Sequence, residues 1–173
     1  MKQYRPITTK NLVIDGFLSS LLLISQVSLS WLPNMELVSL FLILYTLVFG
    51  RHVWIILYVF VLLEGLFWGI GIWWFSYLYV WAIIPAAIFL LYNYNKNCPS
   101  PFSAAILSGT FGMLFGLFSS LPTLVTGGLY AAFVWWTAGI PFDILHGMGN
   151  FTLSLILFKP LYQLLVRLKQ HQS

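Results

Sequence analysis

The segment Val53–Trp74 reads VWIILYVFVLLEGLFWGIGIWW, and Glu64 is the one residue in it that is Asp, Glu, Lys, Arg or His. A run of about 20 apolar residues is long enough to cross the hydrocarbon core of a bilayer as an α-helix. The rest of the chain is similar, because 60% of its residues are apolar and 7% are charged, with a mean hydropathy of +0.91. A soluble domain is roughly one quarter charged. The sequence therefore predicts an all-α integral membrane protein.

Turn-forming residues divide the chain into further apolar runs of the same kind. The breaks are Pro33-Asn34, the polar segment 93–101, and Pro122 together with Gly127-Gly128. The first run is longer than the core of a secretory signal, so we expect it to be a retained helix. We predict one transmembrane domain over residues 1–173 with six helices: Leu12–Trp31, Leu37–Phe49, Val53–Trp74, Tyr77–Tyr92, Phe102–Leu121 and Tyr130–Phe158.

The basic residues indicate an orientation for these helices, because Lys and Arg in short loops stay on the cytoplasmic side. All eight fall before the first span, after the sixth, or in alternate turns: Lys2, Arg5, Lys10, Arg51, Lys96, Lys159, Arg167 and Lys169. We therefore predict a multi-pass protein of the cell membrane with both termini in the cytoplasm. The net charge of +4 then requires no nucleic-acid partner. A single cysteine, Cys98, excludes an internal disulfide and a cysteine metal cluster.

Four ionisable residues lie at similar predicted depth in the outer half of the membrane. At 1.5 Å per residue from the basic turns, Glu36, Glu64, Asp143 and His146 lie about 20 to 24 Å along their helices. Ionisable groups at membrane depth are costly and are often functional. We expect them to converge on one outward-facing cavity. Asp15, by contrast, lies only about 8 Å into the first helix and is expected to have a structural role at the inner interface.

The last span contains the polar stretch IPFDILHGMGN at residues 140–150. Asp143, His146 and Asn150 follow i, i+3, i+7 spacing and therefore share one helical face. Pro141 and the neighbouring glycines can kink the helix at this point. The polar face could line a cavity or form a structural hydrogen-bond cluster between helices, for example with Glu64. The ligand types would also allow a metal site, but the spacing matches no recognised motif, so we predict neither metal nor cofactor.

Aromatic side chains are concentrated around the same level of the membrane. Stacking and cation-π contacts would suit a flat, partly cationic heterocycle, whereas an interfacial aromatic belt is the alternative explanation. The residues concerned are Trp68, Trp73, Trp74, Tyr77, Tyr79, Trp81, Trp135 and Trp136.

Two stretches of the sequence resemble a known family. They are LPNMELVSL at residues 32–40 and GIPFDILHGMGNFTLSLILFKPLYQLLVRL from Gly139. Together with six helices in 173 residues, they resemble the substrate-binding S components of energy-coupling factor (ECF) vitamin transporters of bacteria and archaea. This resemblance implies a vitamin pocket in the outer half, built from the later helices and the first external turn. The substrate-binding positions it implies are Asn34, Glu36, Glu64, Trp68, Asp143, His146 and Asn150.

The resemblance also implies partner subunits. Family members often carry an Ala-xxx-Ala pair on the first helix that docks on a transmembrane scaffold subunit, and this chain has Gly16 and Ser20 there. Two ATPase subunits complete such a transporter, and the S component is understood to release substrate by toppling in the membrane. The chain contains no G-x-x-x-x-G-K-[ST] phosphate loop. ATP coupling would therefore come from another chain.

The leading hypothesis is a non-enzymatic binding subunit that captures a vitamin or related micronutrient. A thiamin-like or pyridoxine-like heterocycle suits acids beside tryptophans, and cobalamin is a further family substrate. The alternative is a stand-alone proton-coupled small-molecule carrier that uses Glu64, Asp143 and His146. An intramembrane enzyme with Glu64 as base and an assembly factor without a ligand are two further possibilities.

Overall fold

The computed structural model describes residues 8–92 and 98–170. Over these residues the chain forms α-helices and one short 3₁₀ turn, Gly50–His52, without a strand, which confirms the all-α prediction. Lys2, Arg5 and Lys96, and most of the predicted polar turn at 93–101, lie outside the described residues. The helices are α1 (Thr9–Leu29), α2 (Val38–Phe49), α3 (Val53–Trp68), α4 (Ile72–Val80), α5 (Ile83–Leu91), α6 (Pro101–Ser119) and α7 (Leu121–Gln170).

Five helical stretches of the described chain are long and apolar enough to cross a membrane: Thr9–Leu29, Val38–Trp68, Ile72–Leu91, Pro101–Ser119 and Leu121–Gln170. These stretches are compatible with a membrane protein. Helix α2 has only 12 residues, about 18 Å, whereas the hydrocarbon core is about 30 Å thick. Helix α2 alone is therefore too short to cross the hydrocarbon core, and six complete crossings stay a prediction.

Helices α1 and α3 run side by side in the same direction. Asp15 Oδ2 lies 2.8 Å from His52 Nδ1, and one turn further along both helices Ser19 Oγ donates to the Ile56 carbonyl at 2.9 Å. Lys10 and Arg51 lie near this contact in sequence. We call this end of the bundle the basic end.

Helices α2 and α7 run parallel to each other, in the direction opposite to that of α1 and α3. Just before α2 begins, Glu36 accepts a hydrogen bond from Asn150 of α7 at 2.6 Å. Near the end of α2, the Val48 carbonyl accepts one from Lys169 of α7. The chain therefore reverses direction at the 3₁₀ turn between α2 and α3, so the apolar stretch Val38–Trp68 folds back on itself and is not one continuous crossing. We call the end that contains Glu36 and Glu64 the acidic end.

The boundary predicted for the third span is wrong, because α3 ends at Trp68 rather than at Trp74. Gly69 has φ = 84°, a left-handed conformation that ends a helix and that glycine adopts without steric cost. A new helix, α4, begins at Ile72. Hydropathy cannot detect this break, because both sides of it are apolar.

The long helix α7 is interrupted once, at Gly128, where φ is 79°. This is the predicted glycine break between the last two spans. Pro122 lies in the first turn of α7, where a missing backbone N–H costs little. Pro141 lies inside the helix.

Glycines bring α6 and α7 into close contact. A Cβ atom added to Gly112 would lie 2.9 Å from the Gly147 backbone, and one added to Gly109 would lie 3.1 Å from the Gly147 carbonyl oxygen. Small residues on facing helices let backbones approach closely in a membrane, where packing rather than the hydrophobic effect drives helix association. We call this close contact of Gly109 and Gly112 with Gly147 the α6–α7 seam. It determines the position along the bundle at which the polar face of α7 lies.

Candidate functional site: a cavity at the acidic end

A cavity of about 360 Å³ opens at the acidic end of the bundle. The C-terminal parts of α1 and α3, the turn between α1 and α2, and residues of α4, α6 and α7 form its walls. The turn is tight, and Asn34 within it has φ = 58°, a left-handed conformation that asparagine tolerates better than most residues. The lining residues are Gln26, Leu29, Ser30, Leu32, Pro33, Asn34, Met35, Glu36, Glu64, Trp68, Trp73, Tyr77, Trp81, Phe115 and His146.

Aromatic rings form one wall of the cavity. Tyr77 packs edge-on against Trp73, Trp81 and Phe115, with ring centroids 5.1, 5.6 and 6.4 Å apart. Phe115 in turn packs edge-on against the His146 ring at 5.0 Å. Such contacts hold the rings in fixed orientations. Of the predicted aromatic set, Trp68, Trp73, Tyr77 and Trp81 line the cavity, whereas Trp74, Tyr79, Trp135 and Trp136 do not.

Glu36 forms the centre of a hydrogen-bond network that joins the α1–α2 turn to α7. Its carboxylate accepts from the Ser39 backbone N–H at 2.8 Å and from the Ser39 hydroxyl. It also accepts from Asn150 Nδ2 at 2.6 Å, and His146 Nε2 lies 3.3 Å away. Three residues from two helices therefore satisfy one buried carboxylate.

The same partners keep Glu36 ionised. Burial alone would raise the pKa of Glu36, but the hydrogen bond and positive charge of His146 and the two bonds from Ser39 hold it below the ordinary value of 4.5. Hydrogen bonds to a charged carboxylate favour its ionised form. Glu36 therefore helps to line the cavity while its bonding capacity is used mainly within the protein.

Glu64 has a different environment, although it lies in the wall of the same cavity. Its side chain is 1% exposed, and Oε1 has no hydrogen-bond partner among the described residues. Trp74 covers the neighbouring turn of α3, because its indole N–H donates to the Val61 carbonyl at 2.8 Å. The indole occupies the space that a side chain at Gly65 would need. A buried polar group without a partner is uncommon and indicates strain or a functional role.

Asp143 and Asn150 are on the predicted face of α7, but neither lines the cavity. Asp143 Oδ1 accepts from the Gly116 backbone N–H at 3.0 Å, so this carboxylate is in the α6–α7 seam. Asn150 is 1% exposed and donates to Glu36 and Ser39. Of the seven predicted substrate-binding positions, Asn34, Glu36, Glu64, Trp68 and His146 are brought together at the cavity.

Gln26 and Phe115 also line the cavity, and our sequence reasoning did not identify them. Gln26 Nε2 donates to the Tyr77 hydroxyl at 3.2 Å, and its Oε1 is buried without a partner in the described part of the chain. An amide inside the apolar run of the first helix was a signal that could have been noticed. Phe115 carried no such signal, because it is one of several phenylalanines in α6.

The predicted coupling positions on α1 face away from the cavity. A Cβ atom added to Gly16 would meet nothing within 4 Å, and the Ser20 hydroxyl donates to the Gly16 carbonyl of its own helix at 3.0 Å. Leu12, Val13 and Phe17 beside them are exposed. This side of α1 therefore has space for another helix.

The chain matches no known family model, no curated protein and no solved structure. Its function must therefore be argued from the cavity and from the chemistry of the residues around it.

Proposed function

We propose that this protein is the substrate-binding subunit of an ECF-type importer of the bacterial plasma membrane. It crosses the membrane six times, with both termini in the cytoplasm. It captures a vitamin or related micronutrient from outside the cell, and a transmembrane scaffold subunit with two ATPase subunits supplies the energy for uptake.

The observation that carries this proposal is the cavity of about 360 Å³ with its aromatic wall and its unpaired carboxylate, Glu64. Small-molecule sites are mostly apolar concave pockets with a few polar groups that orient the ligand, and they typically have volumes of about 300 to 1,000 Å³. The cavity has this composition and lies at the small end of that range. A vitamin with one or two rings fits it better than the much larger corrinoid of cobalamin.

The distribution of charge supports an outward-facing cavity. Five basic residues lie in the described part of the chain: Lys10, Arg51, Lys159, Arg167 and Lys169. Lys10 and Arg51 are close in sequence to the Asp15–His52 contact, and Lys169 donates to Val48 near the end of α2. Lys159 and Arg167 are on the part of α7 that runs from Asn150 towards this basic end, and positively charged residues stay on the cytoplasmic side. The cavity is at the opposite end of the bundle. A ligand would therefore enter it from outside the cell.

The alternative, a stand-alone proton-coupled carrier, would need a proton path between Glu64, Asp143 and His146. Among the described residues, His146 approaches Glu36 and Asp143 bonds to Gly116, and no hydrogen bond links either residue to Glu64. We therefore favour a binding subunit. Substrate uptake in cells that lack ECF ATPases would favour the carrier.

The first test identifies a ligand without assuming one. The full chain is purified in detergent and denatured, and the released small molecules are identified by mass spectrometry. Binding to a vitamin panel is then measured by calorimetry. We expect one co-purified micronutrient and submicromolar binding, whereas repeated absence of both would refute the proposal.

The second test concerns coupling. Gly16→Leu should leave folding and substrate binding intact, because a Cβ atom added at Gly16 meets no neighbour within 4 Å and the position does not line the cavity. It should reduce uptake and co-purification with the scaffold subunit. Gly139→Leu is a matched control, since Gly139 is also open but lies on α7. Unchanged uptake by the Gly16 variant would exclude this face of α1 from coupling.

A further inference from the structure

We propose that the ligand is a small cation whose N–H donors bind Glu64 while its flat ring packs against the aromatic wall. This inference rests on the proposed function and specifies the chemical class of the substrate. It comes from a difference between the two glutamates of the cavity.

The two glutamates differ in their bonding. Glu36 accepts hydrogen bonds from Ser39 and Asn150, and His146 Nε2 lies 3.3 Å from its carboxylate. Glu64 Oε1 is buried, and no described residue donates to it. Glu64 is therefore the carboxylate that has bonding capacity left for a ligand.

The surrounding charges also favour a cation. Within the described cavity lining, no Lys or Arg is present, and the one histidine, His146, is engaged by Glu36. Glu36 and Glu64 are the two carboxylates of this lining. A cation that enters this region meets negative charge in a poorly solvated environment, where electrostatic attraction is stronger than in water.

A second acceptor and the aromatic rings refine the class. Gln26 Oε1 is buried without a partner among the described residues, so the cavity offers two acceptor oxygens for ligand N–H groups. Trp68 and Trp73 are 52% and 37% exposed, and both line the cavity. Indole faces bind cations and flat rings favourably. The expected ligand is a protonated amine or amidine attached to an aromatic heterocycle.

The test uses two compounds of nearly equal size. Pyridoxamine and pyridoxine share one ring, but the first carries an aminomethyl group where the second carries a hydroxymethyl group. Binding of both is measured calorimetrically at pH 7 to the purified full chain, together with thiamin as a second cation, nicotinamide as a neutral ring and biotin as an anion. We expect at least one cation to bind, with pyridoxamine at least 10-fold tighter than pyridoxine.

Glu64→Gln should weaken binding of the cations about 10- to 100-fold, because it replaces a charged hydrogen-bond partner with a neutral one. Asp15→Asn, the same change of carboxylate to amide at the basic end, should leave binding unchanged. Thermal unfolding shows whether each variant is folded. If Glu64→Gln does not fold, the comparison of pyridoxamine with pyridoxine in the natural chain decides.

The outcomes distinguish this inference from the proposed function. If a neutral or anionic vitamin binds as tightly as the cations, or if the folded Glu64 variant keeps the full preference for cations, the inference is overturned and the binding function stands. If no compound of any charge binds and no ligand co-purifies, both are overturned.

Discussion

Replacing Glu36 with Gln should destabilise the protein more than any other single change of carboxylate to amide. The substitution keeps the size of the side chain but removes its charge and converts one acceptor oxygen into an N–H₂ donor. Ser39, Asn150 and His146 all direct donors at this carboxylate. The new amide therefore faces donors where it needs acceptors.

The size of the effect follows from the number of donors affected. At least two of them lose a charged acceptor, and a buried polar group left unsatisfied costs about 1 to 3 kcal/mol. We expect a loss of about 3 kcal/mol in the free energy of unfolding. For a chain of this length, 1 kcal/mol corresponds to about 2 to 4 °C, so the midpoint should fall by about 6 to 12 °C.

Glu64→Gln provides the matched control, because Glu64 Oε1 has no partner among the described residues. Replacing a buried carboxyl group that has no partner with an amide of the same size should leave the midpoint unchanged or raise it. The assay is thermal unfolding of the detergent-solubilised chain without ligand, followed by intrinsic tryptophan fluorescence. A midpoint for Glu36→Gln within 1 or 2 °C of the natural chain, or a larger loss for Glu64→Gln, would refute the roles assigned to the two glutamates.

Three further predictions concern pH, the helix seam and the basic end. The pKa of Glu36 is lowered on folding from 4.5. The stability that ionised Glu36 contributes is therefore present above about pH 4.5 and is lost as pH falls through the folded pKa. Between pH 7 and pH 3 the free energy of unfolding should fall more steeply in the natural chain than in Glu36→Gln, and equal slopes would contradict this. Gly112→Ala should lower the free energy of unfolding by about 1 to 3 kcal/mol through overpacking. Gly139→Ala, at an open position, should leave it unchanged or raise it by up to about 1 kcal/mol. Equal melting midpoints for the two variants would exclude the close α6–α7 contact. Asp15→Asn should cost about 1 to 2 kcal/mol, since the Asp15 side chain is 3% exposed but its partner His52 is one-third exposed. A loss above about 3 kcal/mol would show that solvent at His52 does not screen the pair.

Much of the fold follows from composition and spacing. The apolar runs predict helices because backbone polar groups must be satisfied internally when water is excluded, and the structure is all-helical over the described residues. The i, i+3, i+7 spacing of Asp143, His146 and Asn150 predicts one buried face of α7, and all three are buried. Counting along helices also predicted that Glu36, Glu64, Asp143 and His146 would converge on one cavity. Three of them line it, whereas Asp143 lies in the α6–α7 seam.

The division of roles within the polar cluster could not be predicted. The rotation of α7 directs His146 towards the cavity but Asp143 towards Gly116, and that rotation depends on how the α6 and α7 glycines interlock. The break at Gly69 was also missed, because glycines such as Gly69 and Gly71 are frequent in apolar membrane helices and are compatible with a continuous helix. Both outcomes depend on contacts between segments that are distant in sequence.

The glycine seam between α6 and α7 has a consequence for changing substrate specificity. Any side chain added at Gly112 or Gly147 would displace backbone, and with it the helix that carries His146. The opposite wall has more freedom, because Trp68 is half exposed and Gln26 is only partly buried. Libraries intended to alter ligand preference should therefore vary Gln26 and Trp68, while the α6–α7 pair is kept as a constant scaffold.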